Sequence, residues 1–450
     1  MMCAALPIVI AIAATPGTAL AAPGAGQAAI VASSADSGLN AFYGARNFRP
    51  LWLSHGAASP AAKRLIAILK RADLDGMNAG PAFAVSAEQA LARLGSGRQA
   101  DLSAAEHLLS IGWVEYVRAL KRPTDVGMTY GDMSLAPMTP SGAAILSAAA
   151  AAPSLKAHIA AVSNVNPFYS KLRDGYAALR SSPSKVALTG TRDASTAEAR
   201  LKLNLERTRL LPGSDADKSI IVDAASQRLW MVDGGKLQGS MRVIVGKASE
   251  PTPMIASVVR SVILNPYWNV PVDLVKGRIA SNILSQGTGY LATRKYDVLS
   301  DWTENARLVD PGTIDWKAVA AGRADVRVRQ LPSATNAMGA VKFPFANRYG
   351  VYLHDTPDKA LFAEANRLLS SGCVRLEDAS RLMKWVIGDT PVVPTGRPEQ
   401  SVKLATPVAV YITYLTAQWD GAKLALLDDP YDRDSSNSNR PAAKSAAAAK

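Results

Sequence analysis

Residues 348–376 read RYGVYLHDTPDKALFAEANRLLSSGCVRL, and this stretch decides how the C-terminal half is read. GVYL is a strand-like run ending on His354, and Cys373 follows 19 positions later (373 minus 354). Thr356-Pro357 reads as the start of a helix over DKALFAEANRLLS, with proline in its first turn. A second helix, EDASRLMKWVIG, begins near Glu377. A strand, a helix and a return loop bring the two ends together and set Cys373 just ahead of a helix N-terminus. There the helix dipole lowers a thiol pKa, and free N–H groups hold an oxyanion. Gly372 lets the backbone turn tightly. Arg375 supplies a fixed positive charge for a thiolate or a substrate carboxylate.

Strand patterns extend upstream. SIIVD, QRLWMVD and KLQGSMRVIVG read as short strands, with Asp233-Gly234-Gly235 signalling a hairpin. VVRSVILN adds a strand and PVDLVKGRIASNIL a helix. Residues 285–330 read as a long insertion of little periodicity, a candidate lid over the site. PVAVYITYLTAQWDGAKLALL closes as a strand pair joined at Asp420-Gly421. Before residue 213 the pattern is helical, as in PAAKRLIAILKRADLDG, AAEHLLSIGWVEYVRAL and TAEARLKLNLERTRLLPG. The expected fold class is α+β. A helical domain spans 38–213, and a β-rich domain spans 214–432 and carries the insertion. Residues 22–37 read as a flexible lead-in and 433–450 as a disordered tail.

The 450 residues are 48% hydrophobic and 19% charged, a globular composition. Residues 1–21 read as a secretory signal peptide, apolar from Ala4 to Ala14 and closing on Ala19-Leu20-Ala21. The apolar run is too short for an anchor, and no other stretch is long enough to span a bilayer. The mature chain is therefore expected to have no transmembrane segment. Export removes Cys3 and leaves Cys373 as the sole thiol. A lone thiol in an oxidising compartment is either buried and inert or reactive. The formal charge of +13 suits an anionic surface or a carboxylate-rich substrate. The basic residues are scattered, with no run interleaved with aromatics, which argues against nucleic acid.

A thiol needs a base to become a nucleophile near neutral pH. Of the four histidines (His55, His107, His158 and His354), only His354 shares a domain with Cys373. One Cys and one nearby His make a poor metal-ligand set, so no metal or other cofactor is expected. On the residues alone, a catalytic pair and a structural pair both remain open.

VYLHDTP followed by SSGCVRL resembles the active-site signature of the L,D-transpeptidases with a YkuD-type catalytic domain. IIVDAASQRLWMVDGGK and RVIVGKASEPTPM resemble the opening strands of that domain. NPYWNVP and RQLPSATNAMGAVKFPFANRYGVYLHDTP are similar to the long periplasmic subgroup of Gram-negative bacteria. FYGARNFRPLW and LDG resemble that subgroup's helical scaffold domain. The resemblance implies Cys373 as nucleophile, His354 as base, and Ser371, Gly372 and Arg375 as the surrounding box, with backbone N–H groups near Gly372 and Cys373 forming the oxyanion hole. It implies peptidoglycan stem peptides as partners, with a thioester intermediate and a 3-3 cross-link as product. It also implies a periplasmic enzyme of cell-wall biogenesis that carbapenems target. Tyr352, Trp268, Tyr267 and Asn347 stand as candidates to line a substrate groove.

Two departures stand out. Ser371 occupies a position where most members have histidine. The long subgroup shares that serine, and it leaves His354 without a histidine competitor. Residues 160–215 are too short and too helical for the subgroup's peptidoglycan-binding module. Other Cys-His enzymes fit less well. Papain-like hydrolases place Cys before His, and sortases place their arginine farther downstream. An L,D-carboxypeptidase, a cross-link hydrolase and a non-catalytic wall-binding scaffold are the remaining alternatives.

Overall fold

The computed structural model describes residues 36–191, 193–213, 216–388 and 396–435. The expected signal peptide and residues 22–35 of the lead-in lie outside the described residues.

The N-terminal unit holds helices α1 (Asp36–Ala45), α2 (Pro60–Leu69), α3 (Gly80–Ala92), α4 (Gln99–Lys121), α5 (Gly142–Ala151), α6 (Leu155–Asn164), α7 (Pro167–Ser181) and α8 (Ala194–Arg209). Ser59, Ser141, Ser154, Asn166 and Asp193 cap α2, α5, α6, α7 and α8 by accepting a first-turn N–H. Trp52, Leu65, Leu69, Leu109 and Trp113 form the centre of one continuous core.

The β-rich unit is built on β3 (Ser219–Asp223), β4 (Arg228–Asp233), β5 (Lys236–Gly246), β6 (Ile255–Leu264), β10 (Val341–Phe343), β11 (Leu353–His354), β13 (Val374–Leu376) and β14 (Gln400–Thr413). Two short strands of the helical unit, β1 (Thr129–Tyr130) and β2 (Ala187–Thr189), precede these in the chain. The hydrogen-bonded order runs β10-β11-β13-β5-β4-β3-β14-β6, and β6 pairs back onto β10. The ladder thus closes on itself around a core that includes Val243, Phe343, Leu353, Val374 and Leu376. The expected β4–β5 hairpin is present. Gly234 and Gly235 both have positive φ (53° and 70°), as its turn requires.

Several expectations need correction. The cut at residue 213 divides the sequence but not the cores. A C-terminal hairpin, β15 (Ala417–Trp419) and β16 (Lys423–Leu426), pairs with β2, and its apolar side chains join the helical core. In exchange, β1 pairs with β6 of the β-rich unit. The insertion is neither irregular nor confined to 285–330. It forms a three-stranded sheet of β7 (Trp268–Asn269), β8 (Tyr296–Leu299) and β9 (Arg327–Gln330). Its own core includes Val270, Val275, Ile279, Val298, Trp316 and Val328. The helix expected over 358–369 is absent. Only a 3-10 segment, Lys359–Ala363, forms. The following Glu364–Asn366 are exposed and offer no apolar face, and β12 (Leu368–Ser370) is drawn into parallel pairing with β5. The tail expected from 433 begins too early, because Arg433 and Asp434 pack against α8. Among the described residues, no helix is long and apolar enough to cross a membrane.

Candidate active site

Strands β10, β11 and β13 place the candidate residues by simple alternation. His354 pairs with Arg375 in parallel register, and Lys342 pairs with His354 in antiparallel register. Residues in register share a face, as do residues two apart on one strand. Lys342, His354 and Arg375 therefore point to one side, joined by Tyr352 and Cys373 from just outside the strands. Phe343, Leu353, Val374 and Leu376 point to the other side and are fully buried in the core. The N–H of Val374 donates to the Tyr352 carbonyl (3.1 Å), which sets Tyr352 abreast of Cys373. Cys373 and His354 are then diagonal neighbours on one face, while the sulfur's own contacts among the described residues are to Tyr352 and the Gly350 carbonyl.

Cys373 lies at the head of β13, not at a helix N-terminus. The next helix, α9 (Ala379–Ile387), starts six residues on (379 minus 373), and the side chain of Asp378 already caps it. A helix dipole acts only within its first turn, so it does not activate this sulfur. Local groups act instead. Burial pushes the Cys373 thiol up. The Tyr352 N–H and hydroxyl and the cations Lys342 and Arg375 all pull it back down. The sulfur is half-buried and lies 3.9 Å from the Gly350 carbonyl.

His354 is 5% exposed. Its Nδ1 lies 2.5 Å from the Asp355 carbonyl. A carbonyl only accepts, so Nδ1 carries the hydrogen and Nε2 keeps the lone pair. Burial, with Arg375 and Lys342 adding to it, pushes the imidazole down to about 3. The ring is therefore neutral at any physiological pH. The Nε2 lone pair is thus the ring's acceptor in this resting geometry.

The loop before Cys373 is tightly held. Gly372 has φ +111°, open only to glycine, although a Cβ there would meet nothing closer than 3.9 Å. Ser370 Oγ accepts from the Gly372 N–H (3.1 Å) and donates to the Cys373 carbonyl (2.6 Å). The Gly372 N–H, one of the two expected at the oxyanion, is thus already engaged within this loop. Ser371 is exposed at the tip. Arg375 makes a long ion pair with Asp358 (3.7 Å).

Residues 217–393 match the sequence profile of the YkuD L,D-transpeptidase catalytic domain, and residues 37–175 match a scaffold domain. This chain carries an L,D-transpeptidase catalytic domain behind a scaffold domain. It is similar to a Haemophilus influenzae protein named "Putative L,D-transpeptidase", at 32% identity over 251 residues. That alignment covers 54% of this chain and 50% of the relative, so the match spans half the relative's length. Among solved structures, it is similar to an L,D-transpeptidase avibactam carbamoyl enzyme at 17% identity, covering 45% of this chain and 50% of that chain, with a TM-score of 0.22. A Mycobacterium smegmatis L,D-transpeptidase is 12% identical, with 43% and 58% covered and a TM-score of 0.22.

Within the YkuD-type domain, the other candidates part company. Tyr352 adjoins the sulfur. Asn347 supports a loop: its carboxamide donates to the Phe345 and Val351 carbonyls and accepts from the Tyr349 and Val351 N–H groups. Trp268 packs on Tyr296 in the insertion's own core, and the Arg329 guanidinium lies 4.4 Å from the centre of the Tyr267 ring. Those two aromatics are accounted for by packing. Sequence reading missed Lys342, whose ammonium lies 4.5 Å from the centre of the Tyr352 ring. Its only signal was its place in the short strand VKF, which carries meaning once the strand's register to His354 is known.

Proposed function

We propose that this chain is an exported peptidoglycan L,D-transpeptidase of a Gram-negative periplasm that forms 3-3 cross-links through a Cys373 thioester. The observation that carries the reading is the single polar sheet face that presents a half-buried thiol, a buried imidazole and two cations. The thiol attacks the amide between the L-centre of diaminopimelate and the terminal D-alanine. As the S–C bond forms, the thiol proton passes to His354 Nε2. That proton then goes to the departing D-alanine amine as the C–N bond breaks. An amine from a second stem attacks the thioester and gives its proton to the same nitrogen. The new amide forms and the thiol is restored. Lys342, Tyr352 and Arg375 stabilise the negative charge that develops on sulfur and oxygen. A basic chain suits carboxylate-rich stems.

Incubation with tetrapeptide muropeptides, read by mass spectrometry, tests this. The expected result is loss of D-alanine together with cross-linked dimers, and neither product from Cys373→Ala. Tripeptide monomers alone would replace transpeptidation with L,D-carboxypeptidase action at the same site. A carbapenem adduct that persists in Cys373→Ala would overturn the nucleophile.

A further inference from the structure

The nucleophile loop is held from behind by residues far from it in sequence. Thr252 is fully buried. Its Oγ1 accepts from the Gly246 N–H (2.8 Å) and donates to the Gly372 carbonyl (2.8 Å). The same turn reaches the loop a second time, through the Lys247 N–H to the Ser370 carbonyl (2.9 Å). A Cβ at Gly246 would come within 2.1 Å of the Glu250 carbonyl oxygen, so this turn is as compact as its backbone allows.

The turn is itself clamped by the C-terminal segment 429–434. Tyr431 Oη donates to the Gly246 carbonyl (2.5 Å), and Arg433 Nη2 donates to the Thr252 carbonyl (3.0 Å). The Arg433 guanidinium lies 5.2 and 5.0 Å from the centres of the Tyr414 and Tyr431 rings. Helix α8 of the helical unit grips the segment. Arg207 Nη1 donates to Asp434 Oδ1 (2.7 Å) and Nη2 to the Arg433 carbonyl (2.5 Å). The Arg207 and Asp434 side chains are 1% and 6% exposed. Unbroken hydrogen bonding therefore runs from α8 through Arg433 and Thr252 to the residue before the nucleophile.

We infer that Thr252 is a positioning residue for Cys373, and that the strap 429–434, anchored on α8, sets the reactivity of the thiol. The inference deepens the proposed function and rests on it for the link to acyl transfer. Thr252 touches no reacting atom. It fixes the Gly372 carbonyl, and with it the peptide that aims Cys373 at Tyr352, Lys342 and Arg375. Valine keeps the shape but removes both bonds. Serine keeps both.

Alkylation of Cys373 by iodoacetamide, followed against pH on folded protein, reads the thiol without any substrate. Thr252→Val is expected to slow alkylation at pH 7 about tenfold and to move its midpoint upward, since the sulfur leaves its stabilising partners. Thr252→Ser is expected to restore both. Arg433→Met is expected to move both the same way by less, and to add nothing in the Thr252→Val background, because coupled sites are not additive. If circular dichroism shows Thr252→Val unfolded, Arg433→Met carries the test. Folded Thr252→Val, or in that case Arg433→Met, with wild-type rate and midpoint would overturn the inference, as would failure of serine to rescue. Acyl transfer from a tetrapeptide is measured in parallel. Its absence in wild type would sink the transpeptidase reading, while the alkylation profiles still decide the strap.

Discussion

Two clusters in this molecule gather polar side chains around one ionisable group, and they are finished differently. In the helical unit, buried Asp75 accepts from Tyr116 Oη (2.8 Å) and Tyr169 Oη (2.7 Å) and pairs with Arg173 (3.5 Å). Arg173 also donates to the Ser163 carbonyl and to Asn164 Oδ1. In the β-rich unit, the Cys373 sulfur has a 3.9 Å contact to a carbonyl, and His354 Nε2 takes no partner among the described residues. The first cluster pairs its carboxylate and fixes a fold, with Arg173 Nε left without a hydrogen-bond partner among the described residues. The second holds donors and cations in place around the proposed nucleophile and leaves a lone pair unused, as the proposed chemistry needs.

Removing the central residue of each cluster should therefore give opposite results. Asp75→Ala leaves Arg173 buried without its counter-charge and should cost roughly 3–5 kcal/mol, measured by denaturant unfolding. Cys373→Ala should abolish acyl transfer yet leave the unfolding free energy within about 1 kcal/mol of wild type. An active Cys373→Ala, or an Asp75→Ala of unchanged stability, would break the contrast.

His354 sharpens it through pH. A normal imidazole would give acyl transfer an acid limb near 6.5. With His354 pushed down to about 3, the rate of Cys373 acylation should stay flat from pH 5 to 8. Stability carries the matching sign. A folded value below the unfolded one means that the unfolded chain binds the extra proton. The contribution is therefore full above 6.5 and is lost as pH falls towards 3, by a few kcal/mol at most. Asp223, pushed up to about 6 by burial, acts oppositely, favouring the fold below the usual carboxylate range and losing that contribution as pH rises through 6. Comparing wild type with His354→Gln isolates the first slope. The variant should lose it, along with about 10²–10⁴ in rate. An acid limb near 6.5 in wild type would show the ring to be less buried than described.

The candidate catalytic residues were legible and their surroundings were not, for a physical reason. His354 and Cys373 sit in local signals: a strand end, and a glycine whose φ of +111° the sequence already suggested by its type. Lys342 and Thr252 lie 31 and 121 positions before the cysteine (373 minus 342, 373 minus 252) and join it only through strand register and a buried hydroxyl. The missing helix after Pro357 shows the same limit. Its exposed Glu364–Asn366 have helix-compatible composition, but Leu368–Ser370 gain a pairing with β5 that local propensity cannot anticipate. Within the insertion the helical stretch 272–286 was legible but the sheet was not, because its strands are two to four residues long. In such short pieces, periodicity has no room to appear.

Lys342 offers the smallest and most discriminating test. Its ammonium stacks on Tyr352 and lowers both the thiol and the imidazole. Lys342→Met keeps the aliphatic stem but removes the charge. The alkylation midpoint of Cys373 should rise, leaving less thiolate at neutral pH. His354 should also become slightly easier to protonate, since one of the cations opposing it is gone. A shift in the sulfur alone would mean that Lys342 acts through Tyr352 and not through the shared face. Added salt separates the two. A partly exposed charge loses influence as the Debye length falls below about 10 Å, so the wild-type midpoint should drift upward with salt while that of Lys342→Met drifts less. If both midpoints respond equally to salt, the cation on this face is not what distinguishes the Cys373 cluster from the Asp75 cluster.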